Sequence, residues 1–362
     1  MKNKLKQAFD FIVKTTNGMA YGLFATLIIG TIIGTIGELF SYGNSNFCTF
    51  ISNTLNDGAT VLKILTGAGI GIGVAMALKF DTLKIISLAV AGEIASYFSL
   101  TTGFVTNGTI QNKMQIGDPL TIYFVVVAVA LVFTFLLKKK TAIDIILVPL
   151  LSAIIGISVA VLLRYPTIYI TYAIQWVIGR ATFAQPFIMG VVISVVMGMA
   201  LTAPISSAAI AFIVFTGTEP GIAIASGAAI VGCCTQMIGF AVQSRKDNNL
   251  GVVLSIAFGT SMLQFKNILK KPIIWLPTII ASAILGPIAT TLAHVECMGS
   301  SAGMGTAGLV GQIGTISSMG ISNPMTWVAI IVLEIVAPAL LVFGIDLIFR
   351  KLNLIKDNDL KL

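Results

Sequence analysis

Between Leu201 and Gln312 the chain repeatedly interrupts apolar sequence with glycine, proline and hydroxyl residues. Leu201-Thr202-Ala203-Pro204-Ile205-Ser206-Ser207 opens the region, and Thr216-Gly217-Thr218-Glu219-Pro220 follows. Gly232-Cys233-Cys234-Thr235-Gln236, Gly259-Thr260-Ser261-Met262-Leu263-Gln264 and Gly303-Met304-Gly305-Thr306-Ala307-Gly308 continue the pattern. A lipid-facing helix has no use for such breaks. Each freed N–H or C=O costs several kcal/mol in hydrocarbon unless protein or a water-filled cavity satisfies it. Broken backbone at membrane depth, with a carboxylate beside it, is how secondary transporters build a solute site near the midplane. The pattern predicts a solute carrier or solute sensor with its site in the C-terminal half.

The surrounding composition places the breaks in a membrane. Of the 362 residues, 56% are hydrophobic and 10% charged, with mean hydropathy +0.98; a soluble domain carries roughly 25% charge. At about 20 residues per span the length predicts about eight to ten helices and no large soluble domain. Met1–Asp10 is charged and no small-residue cleavage site follows, so no removable leader is expected. The net charge of +8 is spread over short loops without a basic helix or aromatic-interleaved patch, which argues against a nucleic-acid partner. Cys48, Cys233, Cys234 and Cys297 lack paired metal spacing and read as buried, inert thiols. Neither a metal nor a cofactor is expected.

Apolar runs predict spans at 19–40, 59–78, 83–100, 120–137 and 142–163, with a polar loop at 41–58. Tyr165, Tyr169, Tyr172 and Trp176 recur at helical spacing and predict an interfacial helix up to Arg180. Further spans are predicted at 222–242, 273–292 and 325–349, and 186–200 is again apolar. The 252–269 run is too interrupted to span and predicts a re-entrant hairpin, and 299–320 is too glycine-rich for a regular spanning helix. Lysines cluster in 1–14, at Lys79 and Lys84, and at 138–140, whereas the alternate loops hold only Lys113. By the positive-inside rule the N-terminus is cytoplasmic; Arg350, Lys351 and Lys356 put the C-terminus on the same side.

Charged groups inside apolar runs are expensive, so each carries a candidate role. Glu38 and Asp346 lie near helix ends and read as interfacially solvated. Glu93, Asp144 and Glu334 read either as hydrogen-bond anchors or as pathway residues. Glu219, between Thr218 and Pro220, sits where a helix must break and is the prime candidate to accept hydrogen bonds from solute hydroxyls or to carry a proton. His294, the sole histidine, is two residues from Glu296 and reads as an interfacial group, a ligand donor, or a proton partner. The glycines at 303–308 lack the G-K-[ST] ending and the preceding strand of a phosphate loop, which excludes an NTPase. Gln236, Gln264, Asn267, Thr306 and Gln312 are neutral groups in the same broken region. They suit a polyhydroxylated solute, and equally interhelical hydrogen bonds of about 0.6 kcal/mol each.

The 201–209, 259–264, 303–306 and 308–314 segments, with the ending Ile355-Lys356-Asp357-Asn358-Asp359-Leu360-Lys361-Leu362, resemble the stand-alone enzyme IIC-like membrane proteins of the phosphotransferase system. The perfringolysin regulator-like group belongs to these proteins. The resemblance spans nearly the whole chain. It implies a bacterial inner-membrane homodimer, all-α, with about ten transmembrane helices and re-entrant hairpins in the C-terminal half. Sugar-transporting members of the wider group carry a Gly-Ile-Thr-Glu-Pro motif with a substrate-binding glutamate. Gly217-Thr218-Glu219-Pro220 is similar but one residue shorter, so Glu219 and its neighbours carry over. Those transporters place a histidine upstream of the motif; here His294 lies downstream, and no IIA or IIB domain is attached. Phosphorylation-coupled transport is therefore left open, with IIA and IIB phosphocarriers as separate partners if it occurs.

The resulting expectation divides the chain into an N-terminal interfacial helix (1–18), a transmembrane scaffold and dimerisation half (19–180), a substrate half (181–350) and a cytoplasmic tail (351–362). The substrate half would carry a small polar solute, a sugar or polyol, on Glu219, Thr218, Gln264 and the 303–308 backbone, by alternating access. A ligand sensor that regulates gene expression without transport and an ion-coupled organic-anion carrier are the alternatives.

Overall fold

The computed structural model describes residues 2–41, 43, 45–98, 105–106, 109–110, 118–137, 141, 143–215 and 220–362. The chain is an all-α polytopic membrane protein. Among the described residues the only strands are Val105–Thr106 and Thr109–Ile110, paired antiparallel. Among the described residues five helices are long and apolar enough to cross a bilayer, six if one bent pair counts as a span, and Pro119–Phe135 and Pro186–Thr202 are shorter apolar helices. The chain forms two compact units, Met1–Ile170 and Thr171–Leu362.

In the first unit, α1 (Lys2–Leu23) passes through a π-helical stretch, Phe24–Ile28, into α2 (Ile29–Ser41). α3 (Asn46–Ile64) and α4 (Thr66–Ala77) meet at a 50° bend, and α5 (Thr82–Phe98) and α6 (Pro119–Phe135) follow. α4 packs against α1, α5 and α6, and α2 against α3. The 41–58 stretch, expected as a loop, is largely α3. Ser45 caps it by accepting the Cys48 N–H at 3.1 Å. Inside the helix the Thr54 and Thr60 hydroxyls turn back onto the Phe50 and Asn56 carbonyls, each at 2.8 Å, so the polar residues cost the helix little. The run expected as one span at 59–78 is divided: its first residues belong to α3, and the chain bends at Leu65.

α4 owes its place to four glycines at alternate positions. Gly67 and Gly71 share one face, where a Cβ would lie 2.3 Å from the Gly92 carbonyl oxygen and 2.2 Å from that of Leu88, both on α5. Gly73 lies on another face, where a Cβ would sit 2.0 Å from the Gly18 oxygen of α1; one on Gly22 would sit 2.2 Å from the Gly69 oxygen. Small residues at helical spacing let backbones touch, which is how helices associate without a hydrophobic driving force. The bend leaves the first N–H groups of α4 unpaired. Glu93, on α5, accepts the Ala68 N–H at 3.0 Å and is itself bonded to Tyr97, so it is the hydrogen-bond anchor of that break.

α7 (Asp144–Thr182) is a single helix containing Pro149 and Pro166 and the boundary between the units. The fifth apolar run and the aromatic stretch thus join, because a proline removes one rung without ending a helix that its neighbours continue. Asp144 accepts the Thr141 N–H at 3.0 Å and starts the helix.

The second unit contains α8 (Pro186–Thr202), α9 (Ser207–Val214), α10 (Pro220–Ser244), α11 (Leu250–Phe258) and α12 (Phe265–Lys270). α13 (Leu276–Thr291), α14 (Gly299–Ala302), α15 (Val310–Met319) and α16 (Pro324–Val328) follow, and a π-helical stretch, Ala329–Val336, leads into α17 (Ala337–Lys351). α10 is the axis, packed on α8, α11, α13, α14 and α17. Gly232 on α10 fits against the Ser194 carbonyl and Gly227 against that of Val295, with no room for a Cβ at either. The interrupted runs at 252–269 and 299–320 do not span: the first is the α11–α12 hairpin, turned at Gly259–Gln264, and the second is α14, a short 3-10 turn and α15.

Gly73→Ala is expected to lower stability by roughly 1–3 kcal/mol through overpacking against Gly18, whereas Gly58→Ala in α3, where a Cβ meets open space, should raise it by about 0.4–1 kcal/mol. Thermal unfolding of the two variants in detergent checks this; equal effects would mean that α4 does not pack on α1 backbone to backbone.

Candidate functional site

The motifs scattered along the C-terminal half converge on α10. Ser207 donates to the Gly303 carbonyl at 2.7 Å, and a Cβ on Gly303 would lie 2.3 Å from the Ser207 oxygen, so the 201–207 and 303–308 motifs are in backbone contact. Gly305, at φ +58°, lies against Cys233, and Thr306 donates to the Ala257 carbonyl at the end of α11. The Ser226 hydroxyl serves the Cys297 segment in both senses, donating to its carbonyl and accepting its N–H at 3.3 Å. Each break is thereby satisfied by another segment, which apolar surroundings demand.

Three polar groups arise around this axis. The first centres on Gln236, fully buried on α10. Its Oε1 accepts from Trp275 Nε1 at 3.0 Å, Thr278 Oγ1 at 3.0 Å and Thr202 Oγ1 at 3.3 Å, and Thr202 and Ser261 share a hydroxyl–hydroxyl bond of 2.8 Å. The end of α8, the hairpin turn at 261 and the start of α13 therefore meet at one side chain. Gly198 makes room for it, since a Cβ there would lie 2.8 Å from Gln236 Cγ. Its amide nitrogen, Nε2, is buried without a hydrogen-bond partner. An unmade bond of this kind costs about 1–3 kcal/mol, so the group is poised to donate to an oxygen.

The second group surrounds Glu334, fully buried in the π-helical stretch before Pro338. Its two carboxyl oxygens accept from Gln312 Nε2 at 2.7 Å and Thr315 Oγ1 at 2.8 Å, both on α15. Gln312 Nε2 also approaches Cys234 Sγ at 3.4 Å. No basic side chain pairs with Glu334 among the described residues. The carboxyl group ties the glycine-rich segment to the last helix, which is an anchoring role.

The third group is Gln264 with Asn267, on the α11–α12 hairpin. Asn267 Nδ2 donates to Gln264 Oε1 at 2.7 Å, and both side chains donate to main-chain carbonyls of the 360–361 segment. No hydrogen bond links these three groups to one another among the described residues. Thr306 is spent on Ala257, and His294 is exposed, with φ +43° at the end of α13, beside half-buried Glu296. Thr218 and Glu219 lie outside the described residues. Trp275 and Thr278 were not legible as site residues, because nothing in the sequence links a helix start at 275 to a glutamine on α10. Asp346, expected to be interfacially solvated, is fully buried between Arg245 and Arg350, each at 3.0 Å. Its helix end is covered by protein, not water.

Cys233, Cys234 and Cys297 are buried free thiols and Cys48 is half-buried and free. No cluster among the described residues has the ligands for a metal ion. In the first unit an apolar groove of about 880 Å³ opens between Phe11 and Ile12 of α1 and Phe124 and Leu131 of α6. Its polar lining residues are Gln7, Tyr123 and Thr134; the Tyr123 hydroxyl is taken by Thr15 and Thr16 at 2.8 and 3.1 Å, and that of Thr134 by the Ala130 carbonyl at 2.8 Å.

A family model described as "Phosphotransferase system, EIIC" matches residues 13–362. No curated protein and no solved structure matches the chain.

Glu334→Ala should strand the Gln312 and Thr315 donors at roughly 1–3 kcal/mol each, and Glu334→Gln, which keeps an acceptor, should cost clearly less. Thermal unfolding in detergent reads both; a Glu334→Ala protein as stable as wild type would show that the carboxyl does not hold α15.

Proposed function

The chain belongs to the phosphotransferase-system EIIC family, membrane transport components for sugar-like solutes, and from that premise we propose that its second unit carries a sugar or polyol by alternating access, on a site built around Gln236. The observation that carries this reading is the Gln236 amide itself. Its oxygen accepts from Trp275 and lies within bonding distance of the Thr278 and Thr202 hydroxyls, while its nitrogen, equally buried, has no partner. A solute hydroxyl is an acceptor that would satisfy that donor, and Trp275 is an aromatic neighbour of the kind that lines small-molecule sites. The cluster is neutral, which favours a hydroxylated solute over an organic anion.

Glu219 and Thr218, immediately before Pro220 in the sequence, are the second element of the proposed reading, Glu219 accepting solute hydroxyls. Gln264 and Asn267 serve the site indirectly, through the hairpin that places Ser261. His294, Glu296, Thr306 and Gln312 complete the assignment as groups around the moving segments. The first unit acts as scaffold and dimer surface, and both termini face the cytoplasm, as the lysine distribution supports. IIA and IIB phosphocarriers would act as separate partners in any coupled step.

The reading is tested by a thermal-shift screen of the purified protein against sugars, polyols, carboxylates and amino acids. A ligand at about 100 times its Kd stabilises the fold by about 2.7 kcal/mol. A sugar or polyol is expected to shift wild type and to leave Gln236→Leu and Glu219→Gln unshifted; a carboxylate as the only stabiliser would replace the reading with that of an anion carrier.

A further inference from the structure

The segment after α17 is not a loose tail. Asn353 and Asn358 adopt left-handed backbone, φ +57° and +70°, a conformation in which asparagine is enriched. These two turns fold residues 353–362 back onto the unit. Ile355 and Leu360 are buried apolar anchors, at 2% and 0% exposure.

The receiving surface reads the main chain of this segment almost group by group. Asp247, in the loop after α10, accepts the Asn358 N–H at 3.0 Å and the Leu360 N–H at 3.1 Å with its two carboxylate oxygens. Asn248 donates to the Leu360 carbonyl at 2.8 Å and accepts the Leu362 N–H at 2.9 Å. From the α11–α12 hairpin, Gln264 donates to the same Leu360 carbonyl at 2.9 Å and Asn267 to the Lys361 carbonyl at 3.1 Å. Lys271, at the end of that hairpin, pairs with Asp359 at 2.5 Å. Arg350 closes the other side, bonded to Asp346 and, more loosely, to Asp247 and Asp357.

The Leu360 peptide unit is thus held from two directions, by the 247–248 loop and by the hairpin. No other bond in the described structure joins that loop's side chains to that hairpin's. The hairpin, in turn, presents Ser261 to Thr202 in the Gln236 group. We propose that residues 355–362 are a latch: their docked backbone fastens the 259–271 hairpin to the α10–α11 loop and so fixes the hairpin turn at the candidate solute site. Release of the segment frees the hairpin to move while α10 and α13 stay packed. The consequence for solute binding rests on the reading given above; the latch itself does not.

Hydrogen exchange of the full-length protein in detergent, read by mass spectrometry, tests it with Asn248→Ala and Leu360→Asp. Both variants should exchange the 259–271 amides at least about tenfold faster than wild type, the loss expected when a few cooperating hydrogen bonds go, with α13 unchanged. Unchanged protection of 259–271 overturns the latch, as does loosening that spreads equally into α13. If Leu360→Asp does not fold, Asn248→Ala decides alone. A thermal-shift screen in which no sugar or polyol stabilises the protein removes the solute reading and leaves the exchange result for Asn248→Ala standing, so the two readings fail separately.

Discussion

In an apolar environment each backbone break must find its hydrogen bonds inside the protein, and the second unit is organised around that requirement. α10 is the supplier. Gly227 and Gly232 bring its backbone against the Val295 and Ser194 carbonyls, and Ser226 closes both polar groups of Cys297. Once those contacts are fixed, the hairpins have few places to go. Ser207 meets Gly303, Thr306 meets Ala257, and Ser261 is delivered to Thr202. The irregular segments are therefore as determined as the helices, through side chains and close approach in place of regular ladders.

The first unit solves the same problem once, at the Leu65 bend. Glu93 pairs with the Ala68 N–H there, and the alternating glycines of α4 admit two neighbours at backbone distance. Glu334 does comparable work in the second unit, accepting from Gln312 and Thr315. Half-buried Glu93 and buried Glu334 thus both hold segments together through neutral donors. Asp346 differs, being flanked by Arg245 and Arg350, and it lies where the latch segment docks. A carboxylate buried against two guanidinium groups holds its position only while both remain, which makes that corner a single structural piece with the 247–248 loop.

Function follows from what is left unsatisfied. Several polar side chains in the second unit are consumed by structure: Gln264 and Asn267 by the 360–361 backbone, Thr306 by α11 and the Gln312 donor by Glu334, while the acceptors Gln312 Oε1 and Gln243 Oε1 and the Ser282 hydroxyl are buried without partners. Gln236 alone of the amides named from the sequence keeps a buried, unused donor beside an indole and several hydroxyls. For a protein of the EIIC family, that is the group best suited to a hydroxylated solute.

The sequence by itself determined the class. Helical hydrophobic runs with few charges can only be membrane helices, and the breaks at 201–207, 259–264 and 303–308 marked the re-entrant region, because glycine, proline and hydroxyl residues leave their signature locally. It also marked Glu93 and Glu334 as hydrogen-bond anchors or pathway residues. Local sequence misread 41–58, where the Ser45 cap and back-bonded threonines outweigh a polar composition. It also carried no trace of which amide meets which partner. Gln236 joins Trp275 and Gln264 joins Leu360 across 39 and 96 residues of chain. Only the packing of α10 against α8 and α13, and the two asparagine turns after α17, decided which polar groups meet which partners.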